Sequence, residues 1–185
     1  MKKFSTRDIA LVAAFSAIWI ASETYLGPTI SLITGVHGVI QRFLGWMLMV
    51  IMAKIAGRFG NVTIMATVSS LATRIFRSMQ VYALFVGLGY AVGGLTFDLL
   101  YFLPGSQKNI GKKYTVFVSL VSGTVASIPY MLFRFFILGF YGFLIWFPIY
   151  APDMAKSIGL SVLGALTGLS ILPLIEAGTI HLRRK

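Results

Sequence analysis

No cysteine occurs anywhere in the 185-residue sequence, which excludes disulfides, thiolate metal ligands and cysteine nucleophiles. Histidine is nearly as scarce: His37 and His181 are the full complement, and no second His or Cys is placed to join either in a metal site. Acidic residues number five against 16 Lys and Arg. No nucleophile beside a base, no paired-carboxylate constellation and no metal motif occurs, and Ser122 has no base in reach, so the chain is not read as an enzyme and no cofactor is expected. Charge itself is sparse, at 11% of residues against 57% apolar, which excludes an ordinary soluble domain.

What fills the chain instead is apolar runs. A membrane span needs about 20 helical residues, so the length accommodates about six spans as a single membrane domain, 1–185, with no room for a nucleotide-binding module. Runs broken by Gly, Pro and charge predict spans at 9–26, 38–56, 61–76, 81–103, 114–138 and 155–177. The fold class is therefore all-α, a compact bundle of six transmembrane helices. Residues 27–38, between the first two spans, are too irregular for a simple turn and read as a re-entrant or capping segment. The basic N-terminus ahead of an apolar run suggests a signal peptide, but Asp8 opens the run and Trp19 occupies the position where cleavage wants a small residue, so an uncleaved first span is expected.

The net charge of +11 does not imply nucleic acid, because the basic residues cluster between apolar runs. With six spans, Lys2, Lys3, Arg7, Lys54, Arg58, Lys108, Lys112, Lys113, Arg183, Arg184 and Lys185 fall on one side. By the positive-inside rule both termini are then cytoplasmic, in a multi-pass protein of the cell membrane.

Ionisable groups inside a bilayer cost a few kcal/mol each, so those within spans are functional candidates. Most gather at the outer level: Glu23, Arg42, Arg74, Arg77 and Arg134, with His37, Gln41, Gln80 and Tyr82 in the same layer and Tyr141, Trp146, Tyr150 and Asp153 in the connection before the last span. The functional reading is an outward pocket with aromatic walls and a few polar groups, formed by Glu23, His37, Gln41, Arg42, Arg74, Arg77, Gln80, Tyr82, Arg134, Trp146 and Tyr150. Arg suits a carboxylate or phosphate. The competing reading is that Arg side chains snorkel and Trp and Tyr form an interfacial belt. Asp98 is expected to pair with a loop Lys, and Glu176 to cap or pair with the basic tail.

Small residues recur at helical spacing. Gly89 with Gly93, Ser119 with Gly123 and Ser127, and Gly164 with Gly168 read as internal packing positions. In the first span Ala10, Ala13, Ala14, Ala17 and Ala21 leave one helix face nearly smooth.

This layout of six spans, internal termini and an Ala-rich first span resembles the substrate-binding S component of energy-coupling-factor transporters, the prokaryotic vitamin importers. The Ala-x-x-x-Ala pattern of that family is matched by Ala10 with Ala14 and by Ala13 with Ala17. The resemblance implies a subunit that captures a water-soluble vitamin or precursor outside. It then docks through Ala10, Ala13, Ala14 and Ala17 on a transmembrane T component driven by two cytoplasmic ATPases. Metal-importing members carry His after the initiating Met, where this chain has Lys2. The segment from Gly45 to Leu103 is similar in spacing to the branch linked to thiamine and its pyrimidine precursor, whereas the Arg surplus suits a carboxylate-bearing vitamin. An intramembrane enzyme acting on lipid or peptide and a channel-like scaffold are the rival readings.

Overall fold

The computed structural model describes residues 4–34, 38–76, 81–103 and 110–183. Among them the chain is helical throughout, with no strand. Helix α1 (Thr6–Tyr25) opens with a reciprocal cap. Ser5 Oγ accepts from the Asp8 amide at 3.2 Å, and Asp8 Oδ2 accepts from the Ser5 amide at 3.0 Å, so two amide donors at the helix start are satisfied. Helix α2 (Gly27–Thr34) is a short piece with Pro28 at its start, where the missing N–H costs nothing. The segment read as irregular is thus helical over most of its length.

Helix α3 (Val39–Ala56) ends at Gly57, whose φ of 58° is left-handed and lets its amide return to Ala53 O at 3.1 Å. Helices α4 (Asn61–Phe76) and α5 (Val81–Phe102) follow. Among the described residues Asp98 pairs with no lysine. Its carboxylate on α5 accepts from the Gly60 and Thr63 amides and from Thr63 Oγ1 at 3.1, 2.8 and 2.6 Å, capping α4 from a neighbouring helix, where donors are in surplus. Lys54 instead donates to Ile110 O at 3.3 Å.

The apolar run expected as one span over 114–138 is two pieces, α6 (Lys112–Val125) and the beginning of α7 (Ile128–Arg183). Pro129 has no N–H to return to Val125 O, which disfavours a continuous helix at this point. The Ser127 amide bonds to Thr124 O at 3.0 Å instead of continuing the regular ladder. Helix α7 is itself folded back at Gly139, where φ is 67° and ψ 178°. Its two arms pack antiparallel, with Phe135 against Phe143 at 5.6 Å and Tyr130 against Trp146 at 6.0 Å. The residues read as a connection before the last span therefore lie on a helix, and Pro148 and Pro152 are accommodated within it.

Thr6–Tyr25, Val39–Ala56, Val81–Phe102 and Lys112–Ile175 are each long and apolar enough to cross a membrane. The protein has the build of an all-helical membrane protein, and its helices approach closely through small residues. A Cβ on Gly164 would collide with Phe43 O, and one on Gly168 would stand 2.8 Å from Met47 O, so α3 and the second arm of α7 run side by side in the same direction. Gly89 meets Ala126 and Gly93 meets Ala126 and Ser122, joining α5 to α6 in opposite directions. Gly45 lies under the Trp19 ring, whose Cζ2 would be 2.5 Å from an added Cβ. With Asp8 bound to Arg58 at 3.1 Å, this sets α1 antiparallel to α3. Trp19, Trp46, Met49, Met52, Met65, Phe97 and Val118 are fully buried along the resulting axis.

Candidate functional site

The directions of the helices bring several ends together. The last turns of α1 and α4, the first turns of α3 and α5, and the break between α6 and α7 meet at one end of the bundle. There they frame an open cavity of about 500 Å³, within the range of small-molecule sites, roughly 300–1,000 Å³. Glu23, Gln41, Arg42, Arg74, Tyr82 and Tyr150, all expected in an outer site, line this one cavity, as does Asp153. Arg134 and Trp146 stand one layer behind it. His37, Arg77 and Gln80 lie outside the described residues.

Arg42 is 8% exposed and forms part of the floor. Its Nη1 donates to Gly123 O at 2.8 Å and its Nη2 to Ser127 Oγ at 3.0 Å. Because the Ser127 amide has turned to Thr124, Gly123 O is one of the carbonyls that the end of α6 leaves available, and the helix terminus carries about half a negative charge there. The guanidinium also lies against Trp46 and Tyr90, 5.2 and 5.1 Å from their ring centroids. Trp46 Nε1 in turn donates to Ser122 Oγ at 2.9 Å.

Across the floor, Arg74 Nη2 donates to Gln41 Oε1 at 2.7 Å. That bond fixes the amide orientation of Gln41, so its Nε2 is turned elsewhere. Both Gln41 Nε2 and Arg74 Nε are buried with no acceptor among the described residues.

Four tyrosines form the walls: Tyr82 and Tyr90 from α5, Tyr130 and Tyr150 from the two arms of α7. The α7 pair is braced from behind. Trp146 stacks on Tyr150 at 4.6 Å with an interplanar angle of 17°. Arg134 Nε donates to Tyr130 OH at 2.8 Å while its guanidinium lies 5.5 Å from the Trp146 ring. Asp153 is at the rim, bonded to Lys156 at 3.2 Å with both side chains more than half exposed.

Sequence reasoning missed Ser31, Tyr90, Ser127, Tyr130 and Ser157, which also line the cavity. Tyr90 and Tyr130 carried a usable signal, since they lie two turns from Tyr82 and one turn from Arg134. The serines carried none. Among the described residues no group of three His, Asp or Glu side chains could hold a metal ion.

On α1, Asp8, Ser16, Trp19 and Glu23 are buried, whereas Ala10, Ala13, Ala14, Ala17 and Ala21 are exposed. The helix puts Trp19 and the polar Asp8, Ser16 and Glu23 into the bundle and leaves the Ala positions outward, together with Ile9 and Ile18.

No family model, no curated protein and no solved structure matches this chain.

Proposed function

We propose that the protein is the membrane-embedded substrate-binding subunit of an energy-coupling-factor importer. In this reading six passes place both termini in the cytoplasm. The cavity faces outward and captures a water-soluble vitamin or precursor, thiamine-related or carboxylate-bearing. The subunit then docks on a transmembrane T component driven by two cytoplasmic ATPases.

The observation that carries the reading is the cavity itself, an aromatic and polar pocket of about 500 Å³ at one end of the helical bundle. Two further features support it. The exposed basic residues Arg7, Lys112 and Lys113 belong to the opposite end, as the positive-inside rule asks of a cytoplasmic face. The outward Ala positions of α1, flanked by the exposed Ile9 and Ile18, offer a partner helix places of close approach, as an association that is made and broken requires.

Native mass spectrometry of gently purified protein tests the reading. A retained, vitamin-sized small molecule is the expected result. Turnover of phospholipid by the isolated protein would favour an intramembrane enzyme instead.

A further inference from the structure

Behind the cavity wall, where α1, α3 and α4 meet, polar atoms collect that the helices do not pair. Helices α1 and α4 run in the same direction here: Phe4 lies against Gly60, and Ser16 Oγ donates to Met65 O at 3.5 Å. About one turn further along each helix stand Trp19 and Ser69, and beyond them Thr24 and Arg74. Trp19 also lies across Gly45, one turn from Gln41 on α3, and Gln41 is bonded to Arg74. Trp19 and Ser69 are fully buried and Gln41 nearly so. Trp19 Nε1, Thr24 Oγ1, Gln41 Nε2, Ser69 Oγ and Arg74 Nε are all buried and have no hydrogen-bond partner among the described residues. Gln41 and Arg74 border the open cavity, yet these two nitrogens are sealed from it.

We infer that this seam is a second binding site, an internal one for ordered water, which joins α1 to α3 and α4 behind the cavity. A buried donor without an acceptor is costly, and native interiors pair nearly all of them. The nitrogens of Trp19, Gln41 and Arg74 donate only, so their partner must accept, whereas the hydroxyls of Thr24 and Ser69 do either. Water meets both demands and bridges two to four polar groups at once. A solute held in the open cavity does not reach atoms that the protein seals from it.

The seam is a local feature and not a property of the whole core. Trp46 is buried as completely as Trp19, but its Nε1 donates to Ser122 Oγ at 2.9 Å. Part of the inner face of α1 therefore meets its neighbours through water, while the Ala positions lie on the other side of the same helix. A helix bridged in this way shifts against its neighbours by exchanging waters, with no direct side-chain bond to break at these positions.

The water site exists with or without a solute, so the test needs none. Full-length protein carrying isotope-labelled tryptophan, in mild detergent, gives three indole signals, assigned with Trp46→Phe and Trp146→Phe. On transfer to deuterium oxide the Trp19 indole proton is expected to exchange roughly tenfold faster than that of Trp46 or more, although both side chains are 0% exposed. Exchange no faster than that of Trp46 overturns the inference. A variant gives an independent readout: Ser69→Ala is expected to lower the thermal midpoint, because a water-bridged hydroxyl is lost. In a dry seam, removal of an unpartnered buried hydroxyl is neutral or stabilising, so an unchanged or raised midpoint also overturns it.

Discussion

The Arg42 guanidinium on α3 donates to the Gly123 carbonyl on α6 at 2.8 Å, 81 residues further along the chain. An arginine that sequence position places in an outer, solute-facing layer is here a clamp on the end of a helix. It satisfies a carbonyl exposed by the break at Ala126 and Ser127, and both of those residues line the cavity.

Arg42→Met should therefore lower stability by about 1–3 kcal/mol, the cost of leaving buried polar groups without their partner. Arg42→Lys should not restore it, because an ammonium cannot reproduce the forked contact with Gly123 O and Ser127 Oγ. Thermal unfolding in detergent, followed by circular dichroism, measures both. An unchanged midpoint in Arg42→Met would mean that the clamp contributes nothing.

Gly164 and Gly159 give a matched pair on α7. A Cβ on Gly164 meets the backbone of α3 at Phe43 O, whereas one on Gly159 meets nothing within 4 Å. Gly164→Ala should cost about 1–3 kcal/mol by forcing α3 and α7 apart. Gly159→Ala should gain about 0.5–1 kcal/mol from helix propensity. Equal midpoints for the two variants would remove the close approach of these helices as a source of stability.

The first four long helices were legible because run length and Gly or charge punctuation mark their ends: the reading of 61–76 and the extent of α4, Asn61–Phe76, coincide. The region beyond residue 114 was not legible in the same way. One apolar run conceals the stop imposed by Pro129, and the later Gly139, Pro148 and Pro152 suggest a connection where a helical hairpin forms. There the aromatic pairs across the two arms outweigh local breaking tendencies, and such pairs are invisible to a window along one chain segment. At the cavity, position near helix ends put Glu23, Gln41 and Arg74 in one layer, and all three line it. What Arg42 does was not legible, because its partners include a backbone carbonyl, which has no signature in sequence.

Trp146 should behave as a positioning residue. It does not line the cavity, yet it stacks on Tyr150 at 4.6 Å and meets Tyr130 edge-on at 6.0 Å. Such aromatic contacts are worth about 0.5–1.5 kcal/mol each, so Trp146→Ala should weaken binding of the co-purified solute by roughly threefold to tenfold. Trp146→Phe should retain most of the affinity. Titration calorimetry checks this, and an unchanged dissociation constant in Trp146→Ala would detach the α7 hairpin from the site.

Ala14 separates the two proposed activities. It lies on the exposed face of α1, while Trp19 and Glu23 on the same helix are buried toward the cavity and core. A leucine at position 14 adds a branched side chain where the bundle leaves space, so the fold and solute binding should be unaffected. The same side chain would hold a partner helix away from a surface that depends on small residues for close approach. Ala14→Leu is therefore expected to abolish co-purification of a T component while leaving solute affinity within twofold of the parent. Retained co-purification would show that coupling does not run through the Ala face. Loss of solute binding as well would mean that the helix is set by packing the exposed position does not reveal.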